Sequence, residues 1–123
     1  MQHSFTLAEA RALVPALARH VAGLSTVRAD LAAAQAALRR GERPQVGGLA
    51  EVKALEARLQ EAVDWFPAHG IQLKGLAPVI ADFPGQLSGE PVLWCWLEGE
   101  RSLEWYHDPE LGFMGRRRLP DAG

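Results

Sequence analysis

The chain is poor in cysteine: Cys95 is the only one among 123 residues. A lone thiol can form neither an internal disulfide nor a multi-thiolate zinc site, which agrees with a reducing compartment and means that any metal must find oxygen or nitrogen ligands as well. Long apolar runs are also missing. The longest, Ala32 to Leu38 and Val92 to Leu97, fall far short of the ~20 residues that cross a bilayer. Met1 to Phe5 has neither the basic start nor the hydrophobic core of an export signal, so the expected location is cytoplasmic, with no membrane partner. Nor is there an excess of charge of one sign. Thirteen basic residues stand against fifteen acidic ones for a net charge of −2, which provides no electrostatic footprint for nucleic acid. No internal repeat is evident.

What is present is a 48% hydrophobic chain long enough for one domain, taken as residues 1–123. Its expected class is α+β: a long antiparallel two-helix hairpin over 6–69, followed over 70–119 by a small antiparallel β-sheet and a C-terminal loop.

The helical half opens on Phe5-Thr6-Leu7-Ala8-Glu9, where the Thr6 hydroxyl and the Glu9 carboxylate can each accept the other's backbone amide. Ala10, Leu17, Leu24, Leu31 and Leu38 then recur every seven residues, with Leu13, Val14, Val21, Val27 and Ala34 between them, making one apolar stripe. Pro15 lacks the amide owed to residue 11, so a kink or short break is expected near Ala12 to Val14. Arg39, Arg40 and Gly41 end the helix, and Gly41 through Gly48, with Pro44 between, make the turn. A second stripe runs from Leu49 through Val52, Leu55, Leu59, Ala62, Val63 and Phe66, ending near Pro67 and Gly70. A helix of ~35 residues is about 50 Å long, against a radius of gyration of about 14 Å for a compact chain of this size. The hairpin is therefore expected to project and to pair with a second copy into a homodimer, the alternative being a monomer whose hairpin folds back over the sheet.

In the other half, Ile71 to Lys74 alternates, Val79 to Phe83 is a short strand, and Gln86 to Glu90 is a polar turn. Val92-Leu93-Trp94-Cys95-Trp96-Leu97 is apolar on both faces, as a covered central strand would be. A tight turn at Gly99 sets Trp96 opposite Leu103 and Trp94 opposite Trp105, so that Val92, Trp94, Trp96, Leu103, Trp105 and His107 share a face; a three-residue loop instead brings Cys95 opposite Leu103.

Candidate site residues gather late in the chain. Glu104 and His107 have the spacing of helical di-iron ligands, but in a strand they point to opposite faces. His107-Asp108 is the better pair, where a carboxylate can orient an imidazole as metal ligand or as acid and base, against the plainer reading of a half-buried histidine at a sheet end. His20 sits at a packing position beside Val21, and Cys95 between two tryptophans reads as a small buried hydrophobe. Gly112 to Arg118 combines permissive backbone with guanidinium groups suited to an anion, although such arginines are more often solvated.

Taken in order, Phe5 to Ala10 before Leu13-Val14-Pro15, Gly70 to Lys74, Asp82-Phe83-Pro84, Cys95-Trp96 with Gly99-Glu100, and Trp105 to His107 before Gly112-Phe113 and Gly115-Arg116 resemble the bacterial Domain of Unknown Function 2203 family. Tyr106 stands where that pattern has tryptophan next to histidine. The resemblance implies a small cytosolic protein and carries no activity with it.

Three functions are then open. One is a homodimeric binding module with Asp82, Glu100, Trp105, His107, Asp108 and Arg116 around a small ligand or a divalent metal. Another is an enzyme with His107 as acid or base, oriented by Asp108 or Glu104, and Arg116 as anion anchor. The third is a helical scaffold for other proteins.

Overall fold

The structure, a computed structural model, describes residues 3–42 and 48–121. Helix α1 spans Leu7–Arg39 and α2 spans Leu49–Ala68; strands β1 (Gln72–Leu76), β2 (Val79–Leu87), β3 (Glu90–Leu97), β4 (Trp105–His107) and β5 (Arg117–Arg118) follow. The sheet is an antiparallel meander in chain order. The chain is therefore α+β, two helices and then a sheet. Its residues fall into two compact units, Arg19–Trp65 in one and the start of α1 with everything from Phe66 onward in the other.

The capping box forms: the Thr6 amide donates to Glu9 Oε1 at 2.8 Å and the Glu9 amide to Thr6 Oγ1 at 3.0 Å. Helix α1 then runs on through Pro15, so that of the kink or short break expected near Ala12 to Val14, the break does not occur. A proline inside a helix costs about 3 kcal/mol, but Ala10, Val14 and Leu17 on either side of it are all buried, and interrupting the helix would expose that stripe. Gly41, with φ of 72°, ends α1 in a Schellman motif, its amide reaching the Leu38 carbonyl at 3.1 Å while the Glu42 amide reaches Ala37 at 3.0 Å. The expected Pro44 turn lies largely outside the described residues.

Within the helical unit, Val27 and Leu31 of α1 pack with Val52 and Leu55 of α2. Nearer the other end, His20 Nε2 donates to the Ala62 carbonyl at 2.8 Å, and its ring stacks on Trp65 at 4.2 Å. Early α1 residues thus meet late α2 residues, as antiparallel helices do, and His20 is a packing residue. A second Schellman motif ends α2: Gly70 (φ 75°) donates to the Pro67 carbonyl at 3.1 Å and Ile71 to Phe66 at 2.9 Å, with both apolar side chains buried.

In the sheet unit, β2 is longer than the sequence suggests. Gln86 and Leu87 pair with Pro91 and Glu90, which leaves Ser88 and Gly89, both at positive φ, as a two-residue turn. Neither expected β3–β4 register is adopted. Cys95 pairs with Trp105, Trp94 with Tyr106 and Leu93 with His107. The cause is Glu100, whose carboxylate accepts the Leu97 amide at 2.8 Å and whose carbonyl accepts the Trp96 indole N–H at 2.9 Å. That side chain takes the amide a tight hairpin would offer to β4, and a wider loop results.

The register divides the tryptophans. Phe83 and Trp94 lie on one face with Ala81 and Trp96, all buried. There the Phe5 ring meets Phe83 edge-on at 5.2 Å, and Trp94 Nε1 donates to the Phe5 carbonyl at 3.0 Å. Gly85 permits this approach, since a Cβ there would collide with the Trp94 indole and the Phe5 carbonyl. Trp105 and His107 belong to the opposite face, so the expected grouping with Trp94 and Trp96 is overturned.

Candidate functional site

On that second face, Asp82 of β2, Cys95 of β3 and Trp105 of β4 stand side by side, with Pro84, Leu93 and His107 in the row beyond. Asp82 and His107 are two strands apart, yet His107 Nε2 lies 3.0 Å from Asp82 Oδ2. The contact passes over β3 where Cys95 stands, a small side chain that leaves room beneath the bridge. Asp82, Cys95 and His107 are all buried, with relative exposures of 0%, 0% and 1%.

The other imidazole nitrogen defines the chemistry. His107 Nδ1 is 2.9 Å from the Asp108 backbone carbonyl, and a carbonyl only accepts, so Nδ1 carries the hydrogen. Nε2 is therefore the nitrogen that faces the Asp82 carboxylate, an imidazole nitrogen and a carboxylate oxygen that a metal ion could bridge. Asp82 Oδ2 also receives Lys74 Nζ at 3.4 Å. Lys74 occupies a bulge: Leu73 pairs with Ala81 and Gly75 with Ile80, leaving Lys74 without a partner in the ladder. Asp82 Oδ1 is buried and has no hydrogen-bond partner among the described residues.

Burial first, and then the nearby Asp82 carboxylate, push the Cys95 thiol up to about 12, against a smaller opposing effect of Arg116. That is the reverse of an activated nucleophile. Arg116 lies 4.5 Å over both the Trp105 and the Phe113 rings and pairs with the Glu100 carboxylate at 3.1 Å. The side chains of that ion pair are only 14% and 22% exposed.

Of the residues singled out in the sequence, Asp82 and His107 meet directly, and Glu100, Trp105 and Arg116 form a stacked ion pair beside Cys95. Asp108 joins through its carbonyl alone, its carboxylate accepting the Glu110 amide at 2.8 Å. Glu104 pairs with Arg118 at 3.3 Å. The carboxylate that orients His107 is thus neither Asp108 nor Glu104. Cys95 and Lys74 were missed as site residues. An acid at position 82, inside an otherwise apolar strand, was the available signal that something buried must answer it.

Asp82, Cys95 and His107 offer an oxygen, a sulfur and a nitrogen that all lie within 4.8 Å of one another. Fold and site together define a small α+β protein with a buried Asp–Cys–His cluster. The chain belongs to the family described as "Uncharacterized conserved protein (DUF2203)", whose model matches residues 3–119. Neither a curated protein nor a solved structure matches it.

Proposed function

We propose that this protein binds one divalent metal ion, zinc foremost, through Asp82, Cys95 and His107, on a β-unit that serves as a binding module. The observation that carries the reading is the buried cluster itself: Asp82, Cys95 and His107 bring an oxygen, a sulfur and a nitrogen within 4.8 Å of one another, and the second Asp82 oxygen, Oδ1, has no hydrogen bond among the described residues. A carboxylate, a thiolate and an imidazole suit zinc, and three protein ligands leave a fourth position for an outside ligand. In a tetrahedral zinc site with these donors, ligand atoms stand about 3.3–3.6 Å apart, so side-chain adjustments of roughly 1 Å bring these three into range. The Nδ1–H bond from His107 to the Asp108 carbonyl is the outer contact that orients a histidine ligand and directs its other nitrogen to the metal.

The acid–base alternative draws less support. Both His107 nitrogens are engaged, and its side chain is 0% exposed. Metal analysis of the purified protein before and after zinc equilibration tests the proposal. One zinc per chain, lost in His107→Ala, supports it; protein that stays metal-free and rejects added zinc refutes it.

We further propose that the protein works as a homodimer paired through the helical hairpin. Asp30, Ala34 and Leu38 of α1 face Glu51, Leu55 and Arg58 of α2 around an open groove of about 480 Å³. Leu38 and Leu49 near it are 37% and 62% exposed. A two-fold contact can cover these leucines while setting the acids of one copy against Arg58 of the other.

A further inference from the structure

Lys74 touches the Asp82 carboxylate from the solvent side, its Nζ 3.4 Å from Oδ2. Its side chain is 42% exposed whereas that of Asp82 is 1% exposed, so it reaches inward from the surface to a buried acid. It also lines a cavity of about 270 Å³ together with Gln72, Gln86, Leu93 and Pro109. Lys74 therefore touches the buried carboxylate through its ammonium and also borders an open cavity whose lining includes His3, Ser4 and two glutamines. An ammonium on Asp82 opposes a second positive charge at the same carboxylate, because two cations a few ångströms apart repel most strongly where water is scarce.

Resting on the metal reading above, we infer that the Lys74 cavity is a binding site for a small carboxylic acid, and that this ligand draws the Lys74 ammonium off Asp82 and so favours metal uptake. The exchange is like for like, since the ligand carboxylate replaces the Asp82 carboxylate as the partner of Lys74. Gln72 and Gln86 offer amide N–H groups to the same anion, and Leu93 with Pro109 accommodates its apolar end. Metal and carboxylate then bind cooperatively, and the coupling is reciprocal: each raises the affinity for the other by one and the same factor.

The test is cobalt(II) titration of the full-length chain, followed by absorbance, in sodium perchlorate and in sodium acetate at equal ionic strength. For the unsubstituted protein, acetate tightens cobalt binding about fivefold or more, the low end of ordinary coupling. In Lys74→Met, cobalt binds about tenfold tighter than in the unsubstituted protein without acetate, and acetate has no further effect. Lys74→Gln repeats the measurement with a polar side chain, and circular dichroism shows that each variant is folded. Acetate that changes nothing in the unsubstituted protein, or that acts equally on both variants, overturns the inference and leaves the metal site standing. Absence of cobalt binding in all three proteins overturns the metal reading and this inference with it.

Discussion

Asp82 and His107 are hydrogen-bonded at 3.0 Å although their strands, β2 and β4, are separated by β3. The bond ties three strands together above the small Cys95 side chain, with both partners almost wholly excluded from water. Removing one partner leaves a buried polar group unanswered, a penalty of about 1–3 kcal/mol. Asp82→Ala is therefore predicted to lower unfolding free energy by about that amount without metal, measured by urea denaturation. Double substitution of Asp82 and His107 by apolar residues recovers part of the loss.

Cys95 is predicted to be inert in the native metal-free protein. Burial and the neighbouring Asp82 hold its thiol up at about 12, so almost no thiolate exists at pH 8. A disulfide reagent should label it only as fast as the sheet opens, and rapidly once urea is added. Fast stoichiometric labelling of folded protein would instead favour a nucleophilic role.

The capping box makes a prediction on the acid side. The backbone bond to Thr6, and then that from its hydroxyl, hold the Glu9 carboxyl below its ordinary value of 4.5. A carboxylate favoured in the folded state adds stability above its unfolded value and loses it as pH falls through the folded one. The stability advantage of the unsubstituted protein over Glu9→Ala should be full at pH 6 and shrink steadily below about pH 4.5. A difference independent of pH would contradict the cap.

Light scattering addresses the proposed pairing of hairpins. The expected mass is twice that of the chain, reverting to a single chain when Leu38 and Leu49 are both replaced by glutamate. A monomer at high micromolar concentration in the unsubstituted protein would rule the dimer out.

The features legible in the sequence are those set by neighbours along the chain. Thr6 with Glu9 is a contact over three residues, the Leu17–Leu24–Leu31 stripe is helical periodicity, and Gly70 after Phe66 is a local helix stop. The site is different in kind. Asp82, Cys95 and His107 come from three strands, and their meeting depends on a register set by the Glu100 side chain folding back on Leu97. Offsetting the β3–β4 pairing by one residue moves His107 to the other face, onto the side of Trp94 and Trp96. Lys74 reaches Asp82 from a bulge that no alternation pattern announces. His107, Asp82 and Arg116 stood out by residue type alone, and only the fold assigns them their partners.

The proposed metal site is tested by the absorption spectrum of the protein with one equivalent of cobalt(II). Coordination by Asp82, Cys95 and His107 predicts an intense thiolate-to-metal charge-transfer band together with tetrahedral ligand-field bands, the first lost in Cys95→Ser. A spectrum no different from that of cobalt in buffer, from protein shown to be folded, would rule out metal binding at Asp82, Cys95 and His107.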